Sequence, residues 1–104
     1  MILKEVTKFT ASSWHGTTIK ATPQSLVDLA EKWGIPYNDY NDGSDKTNFD
    51  FDFRASDDLQ FTVYDWKEFV TLDMETTYRF HIGGECVGDT IKAKNILTKL
   101  LKNG

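Results

Sequence analysis

The chain has 104 residues and a formal net charge of −4, a length that suits one domain spanning residues 1–104. Its single cysteine, Cys86, excludes an intrachain disulfide, and nothing argues for an oxidising compartment. No stretch approaches the ~20 apolar residues of a membrane span, and the first residues lack the apolar run of a secretory signal. We therefore expect a soluble, cytoplasmic protein that does not contact membranes.

The acidic residues are concentrated in the middle of the chain. Residues 38–75 hold eleven acidic and three basic residues, whereas residues 1–37 and 76–104 are net positive. This distribution argues against direct nucleic-acid binding, which relies on neutralising phosphates. It suits a partner with a basic surface. Acidic surface also keeps proteins soluble, so both interpretations stay open.

The N-terminal segment predicts two strands. Residues 2–9 mix apolar and charged positions, and residues 17–21 are short and rich in β-branched side chains. The segment between them reads as a loop that carries Trp14 and His15, and the two strands would pair as an N-terminal hairpin. Trp14 would either contact a partner or fold back as a lid on the core.

A helix is predicted over Pro23–Trp33. Thr22 is a suitable N-cap, and Pro23 falls at the first helical position, where its missing N–H costs nothing. Gly34 suits the left-handed residue that ends many helices. One face carries apolar residues at helical spacing, and Trp33 belongs to it as a core residue. These are Leu26, Leu29, Ala30 and Trp33.

A polar segment follows, from residue 36 to residue 48, and it is longer than most connections. Asp39, Asp42 and Asp45 stand at every third position, which raises the question of a calcium loop. With Gly43 as the turn glycine, the bidentate twelfth position falls on Phe49, which cannot bind the ion through a side-chain oxygen. We therefore expect no metal. A binding loop and a loop without a role both remain open.

Three alternating runs predict three strands, at residues 49–54, 59–64 and 77–82, with the first two joined as a hairpin. The pair Gly83 and Gly84 would end the third strand. One face collects the phenylalanines and is the core side. The other face is polar with aromatic exceptions, and carries Asp50, Asp52, Arg54, Thr62, Tyr64, Trp66, Arg79 and His81.

Tyr64, Trp66, Arg79 and His81 form a candidate binding surface, because aromatic rings beside Arg and His give large contact area at small entropic cost. The alternative is that the rings pack under the N-terminal segment or against Arg79. Asp65 breaks the alternation. A strand end or a bulge is the ordinary explanation, and a partly buried, hydrogen-bonded carboxylate is the other.

A second helix is predicted near the C-terminus, with Asp89 as its N-cap and an apolar stripe from Ala93 to Leu101. Residues 67–76 connect the last two strands, and their apolar members cover an edge of the core. The element order is thus ββαβββα. This order predicts an α+β domain with a mostly antiparallel, five-stranded sheet and two helices on one face.

No catalytic signature is present. Cys86 with His81 or His15 could form a nucleophile–base pair, but spacing alone does not establish one. Two histidines and one cysteine are too few for a zinc site without carboxylates. Gly88, placed after the Gly83–Gly84 pair, gives only a weak resemblance to an anion cradle. We expect no cofactor and no enzymatic activity.

The segments YDWK (Tyr64–Lys67) and HIGG (His81–Gly84) carry a resemblance. Together with the layout of residues 17 to about 101, they resemble a group of small phage-encoded accessory proteins. Phe80 departs from that pattern, in which tryptophan is more usual before the histidine. The resemblance implies a viral protein that acts in the host cytoplasm, where such proteins often bind and disable a host factor or sequester a defence signal.

These observations predict a non-enzymatic protein that inhibits a host protein, either a defence factor or a nucleic-acid-processing factor. Its binding residues would be Tyr64, Trp66, Lys67, Arg79 and His81, with Asp65 and Trp14 beside them. In the first alternative, an oligomer sequesters a nucleotide, whose phosphates contact the basic residues and whose base stacks on the aromatic ones. In the second alternative, the protein is a small hydrolase that uses Cys86 or His81.

Overall fold

A computed structural model describes residues 3–5, 13–38, 48–56, 59–65 and 71–103. These residues form six strands and two helices. They are β1 (Lys4–Glu5), β2 (Ser13–Ala21), α1 (Pro23–Lys32), β3 (Tyr37–Asn38), β4 (Asp50–Ser56), β5 (Leu59–Tyr64), β6 (Tyr78–Gly84) and α2 (Val87–Asn103). The helices pack against an antiparallel sheet, so the predicted α+β class is confirmed.

The sheet runs in the order β1–β4–β5–β6–β2, and every pair is antiparallel. The short strand β3 also pairs with β4. Because β5 occupies one side of β4, β1 and β3 share the other side in succession. The predicted N-terminal hairpin is wrong, since β1 and β2 lie at opposite edges of the sheet. Strand β3 falls within the segment that was predicted to be a loop.

Strand β2 begins at Ser13, four residues before the predicted start. The register with β6 shifts between Trp14 and Thr18, and Gly16 within this bulge has φ of 95°. Glycine adopts positive φ without the steric cost that a Cβ brings. The chain therefore stays paired with β6 on both sides of a segment whose composition resembles a loop.

Helix α1 begins as predicted and ends within one residue of the predicted end. The Oγ1 atom of Thr22 accepts from the backbone N–H of Ser25 at 3.1 Å, which caps the first turn. Gly34 has φ of 66°, and the backbone N–H of Ile35 donates to the carbonyl of Ala30 at 2.8 Å. This 6→1 bond is the signature of a Schellman motif.

Helix α2 begins at Val87, so the prediction of Asp89 as its N-cap is wrong. The backbone N–H of Thr90 already donates to the carbonyl of Cys86 at 3.3 Å, which places Asp89 inside the first turn. Thr90 is fully buried and donates its hydroxyl to the Val87 carbonyl at 2.7 Å. Its oxygen is also 2.7 Å from Oγ1 of Thr17, a contact that joins α2 to β2.

The core lies between the sheet and the helices, on the face that the alternation predicted. Leu26 and Ala30 of α1 and Leu97 of α2 are fully buried there, and Trp33 packs against the same core. The sheet and the residue directly before β4 contribute five phenylalanines that are at most 2% exposed. These are Phe49, Phe51, Phe53, Phe61 and Phe80.

Asp65 follows the last residue of β5 and is 1% exposed on the core side. Its Oδ1 accepts the backbone N–H groups of Asn48 and Phe49, both at 2.8 Å. Its Oδ2 accepts Nδ2 of Asn48 at 3.0 Å. Both explanations of the break in alternation therefore apply: the strand ends before Asp65, and the carboxylate is buried and hydrogen-bonded. The carboxylate ties the end of β5 to the residues that enter β4.

Asp65→Asn should destabilise the fold. The amide retains one oxygen for the two backbone donors, but its NH₂ group faces the Nδ2 donor of Asn48. A buried donor without an acceptor costs about 1–3 kcal/mol, to be measured as the loss in free energy of unfolding by urea titration. Adding Asn48→Asp restores a donor–acceptor pair and should recover part of the loss.

Asp28→Asn on the exposed side of α1 is the matched control for this measurement. Its Oδ1 accepts from Gln24, a bond that the amide oxygen can keep, so a change within about 0.5 kcal/mol is expected. Equal effects of the two single substitutions would contradict the role given to Asp65.

Candidate functional site

The register places one polar row across four strands, on the face of the sheet opposite the core. Asp50 of β4 pairs with Tyr64 of β5, Tyr64 with His81 of β6, and His81 with Thr18 of β2. Directly opposed residues in antiparallel strands share a face and lie within side-chain reach. We call this surface the open face.

The neighbouring row explains how Trp14 reaches the open face. Thr62 pairs with Gly83, and Gly83 pairs with Trp14 at the far edge. The rings of Trp14 and His81 stack with centroids 4.1 Å apart and planes 6° from parallel. The sequence predicted that Gly83 would end the strand, but β6 continues through Gly84.

Trp14, His81 and Tyr64 form a contiguous aromatic cluster. Tyr64 meets the His81 ring at 5.5 Å with an interplanar angle of 71°, an edge-on arrangement favoured by ring quadrupoles. Nε1 of Trp14 donates to the Thr17 carbonyl at 2.9 Å, yet the side chain remains 47% exposed. The alternative in which Trp14 covers the core is therefore wrong, because it lies on the opposite face.

Strand β4 places two carboxylates, Asp50 and Asp52, on the open face beside Arg54. Burial, and secondarily the neighbouring Asp52, raises the pKa of Asp50 above its ordinary value, although the hydroxyl of Thr62 donates to Asp50 Oδ1 at 2.9 Å. Burial, with a contribution from Asp50, raises the pKa of Tyr64, so the phenol stays protonated near neutral pH. Burial lowers the pKa of His81, so its imidazole is neutral near pH 7.

The β2 side of the open face is basic. Lys20 pairs with Arg79, and both side chains are exposed. Sequence reasoning found Arg79 but missed Lys20 and Thr18. The alternation around Ile19 places Lys20 and Thr18 on the polar side of β2, but only the pairing of β2 with β6 sets them beside Arg79 and His81.

The structure thus brings Trp14, Tyr64 and His81 into contact and places Arg79 on the same face. Tyr64 contacts the His81 ring, and the alternative in which the rings pack under the N-terminal segment or against Arg79 stays a prediction, since Trp66 and most of that segment lie outside the described residues. Asp65 does not join them, since its carboxylate is buried and hydrogen-bonded on the core side. Trp66 and Lys67 lie outside the described residues, as do the three evenly spaced aspartates at 39, 42 and 45.

Other features of the described residues do not form a second site of comparable definition. A cavity of about 160 Å³ lies between the two helices, below the ~300–1,000 Å³ typical of ligand pockets. It is lined by Ser25, Asp28, Leu29, Lys32, Leu100 and Leu101. Among the residues described, no three His, Cys, Asp or Glu side chains gather as metal ligands. Neither helix has the length and apolar character required to cross a membrane.

Comparisons with protein-family models, with curated proteins and with solved structures find no match to this chain. The resemblance to phage accessory proteins therefore stays a prediction. The geometry of the open face is the remaining indication of function.

His81→Gln should flatten the dependence of stability on pH. The pKa of His81 is below its ordinary value of 6.5, so the folded state binds this proton more weakly than the unfolded chain. The contribution of neutral His81 to the free energy of unfolding is complete above pH 6.5. It decreases as the pH falls through 6.5 towards the pKa of the folded state. Urea titrations of the wild type and of His81→Gln at about pH 7.5 and about pH 5 measure how much free energy of unfolding each protein loses between the two pH values. Equal losses in the two proteins would contradict the prediction.

Asp50→Asn should raise the melting temperature at pH 7. The pKa of Asp50 in the folded state is raised above 3.8. Asp50 therefore contributes favourably to the stability of the fold at low pH, where it is protonated, and this contribution is lost as the pH rises through the pKa of the folded state. The amide keeps an oxygen for the Thr62 hydroxyl. The gain should shrink as the pH falls and disappear about one pH unit below 3.8, where the carboxyl is protonated in both states. A gain of equal size at every pH would argue against an electrostatic origin.

Proposed function

We propose that the protein is a non-enzymatic binding module whose open face docks on a host protein and inhibits it. The observation that carries this proposal is the exposed indole of Trp14, stacked on His81. A large aromatic ring that stays accessible on a sheet face is characteristic of interface anchors.

Preorganisation supports the choice of Trp14 as the anchor. The stack on His81 and the hydrogen bond from Nε1 to the Thr17 carbonyl already restrain both side-chain torsions. A restrained ring loses little rotamer freedom on binding, so more of its contact energy contributes to affinity. His81 is in turn held by the edge of Tyr64. The cluster therefore presents one defined shape.

The charge distribution indicates how a partner would be oriented. Asp50 and Asp52 lie on one side of the aromatic cluster, and Lys20 and Arg79 lie on the other. A partner with a basic patch would place that patch over β4, with its acidic or neutral surface over β2. Such complementarity sets orientation and association rate more than affinity.

The shape of the surface favours a protein partner over catalysis on a small substrate. The open face is one side of a sheet, whereas active sites are clefts that enclose the substrate and exclude water. Hydrolysis and nucleotide sequestration stay predictions. Phage origin and the identity of the host target, a defence or nucleic-acid-processing factor, come from the sequence resemblance alone.

Trp14→Ala should reduce affinity for the partner by about tenfold or more, as expected for a central aromatic anchor worth about 2 kcal/mol. The partner would be recovered on immobilised protein from a bacterial lysate, identified by mass spectrometry, purified, and titrated by calorimetry. Ile91→Ala is the matched control, since Ile91 is 51% exposed on α2 and lies away from the open face. It should leave affinity unchanged.

A second variant separates loss of binding from loss of folding. Asp52→Lys reverses a charge on the open face without touching the aromatic cluster. It should slow association at low salt and have less effect at high salt, where charges are screened. Partner affinity that is indifferent to both Trp14→Ala and Asp52→Lys, in variants with wild-type circular dichroism, would refute the open face as the binding surface.

A further inference from the structure

Four side chains that can donate hydrogen bonds occupy two cross-strand pairs at the β2 edge of the open face. Thr18 pairs with His81, and in the row two residues along, Lys20 pairs with Arg79. The four side chains are a hydroxyl, an imidazole, an ammonium and a guanidinium, and none is an acid. We call Thr18, His81, Lys20 and Arg79 the donor block.

The pairing of Lys20 with Arg79 is unfavourable in the absence of an anion. Directly opposed residues hold their Cβ atoms about 4.5–5.5 Å apart, and like charges at that separation are destabilising. Both side chains are exposed, and neither makes an ion pair or a hydrogen bond in the part of the chain that the structure describes. The acids of the open face are on β4, two strands or about 10 Å from β6.

We propose that the donor block binds the phosphate group of a phosphate monoester. Lys20 and Arg79 supply two positive charges, and a phosphate monoester carries about −1.5 to −2 at neutral pH. The planar fork of Arg79 suits two phosphate oxygens, and Lys20 contributes a compact point charge. Thr18 and His81 offer neutral donors to the remaining oxygen. A carboxylate has only two oxygens and half the charge, and fills this arrangement less completely.

The aromatic cluster borders the donor block through His81, which belongs to both. Its neutral imidazole carries one N–H donor, while its ring contacts are made by Trp14 and Tyr64. The organic part of a phosphate monoester bound at the block would therefore lie beside the exposed indole. This inference requires no protein partner and goes beyond the proposed function.

Amide shifts in two-dimensional NMR spectra test the proposal. The labelled full chain would be titrated separately with inorganic phosphate, adenosine 5′-monophosphate and phosphotyrosine, with sodium chloride added to hold ionic strength constant. We expect saturable shifts of the Thr18, Lys20, Arg79 and His81 amides with at least one of the three probes. Shifts that grow linearly, or that sodium chloride alone reproduces, would overturn the proposal.

Substitutions at the exposed block separate a specific site from diffuse attraction. Arg79→Ser and Lys20→Ser should each weaken binding about tenfold or more, and Arg79→Lys, which keeps the charge but loses the fork, should weaken it less than Arg79→Ser. Lys92→Ser on the exposed surface of α2 is the matched control and should have no effect. Equal weakening by Lys92→Ser and Arg79→Ser would refute a localised site.

The three probes distinguish the sources of the phosphate group, and each positive result supports the block. Tighter binding of adenosine monophosphate than of phosphate, lost in Trp14→Ala, identifies a nucleotide. Preference for phosphotyrosine identifies a phosphorylated side chain, and equal affinities identify recognition of the phosphate group alone. If the donor block does not bind phosphate, the proposed capture of a protein partner can still hold. The two proposals are tested separately, because Asp52→Lys and Lys20→Ser alter opposite sides of the open face.

Discussion

Five phenylalanine side chains on one face of the sheet determine what the other face can present. All five are at most 2% exposed; four come from the adjacent strands β4, β5 and β6, and Phe49 directly precedes β4. A slip of one residue in any of these strands would move its phenylalanines into water and its polar residues into the core. Burial of the aromatic rings therefore fixes the register, and the register places Tyr64 opposite His81 and Asp50 opposite Tyr64.

The aromatic cluster depends on a glycine as much as on its own rings. Gly16 permits the bulge that returns Trp14 to its pairing with Gly83 of β6, and the indole stacks on His81. The bulge also interrupts the edge of β2, and the carbonyl of Thr17 accepts a hydrogen bond from the Trp14 indole. Irregular edge strands resist pairing with other chains, so the same feature that positions the anchor protects the edge.

Charge varies along the open face from β4 to β2. The carboxylates of Asp50 and Asp52 lie on β4, aromatic rings lie on β5 and β6, and the cations Arg79 and Lys20 lie on β6 and β2, while Arg54 of β4 pairs with Lys4 of β1. Burial shifts each titrating group of the central row towards its neutral form, which raises the pKa of Asp50 and Tyr64 and lowers that of His81. Tyr64 and His81 at the centre of the face are neutral near pH 7, and the ionisable side chains of Asp52, Lys20 and Arg79 lie on either side, an arrangement in common with interfaces that have an apolar centre and a polar rim.

Local patterns in the sequence were enough for the elements with short-range causes. The cap at Thr22, the glycine at Gly34 and the alternation of β4 and β5 predicted a helix, its ends and two strands, because each depends on residues a few positions apart. The same parity identified Tyr64, Arg79 and His81 as members of one polar face.

Only the tertiary structure decided which strands are neighbours, because strand pairing joins residues that are distant in sequence. It separated β1 from β2, placed Lys20 beside Arg79 and brought Trp14 over His81. It also resolved Asp65, whose break in the alternation could be read as a strand end or as a buried carboxylate. Both readings are correct. The donors that satisfy the carboxylate, on Asn48 and Phe49, precede the neighbouring strand β4 and are distant from Asp65 in sequence.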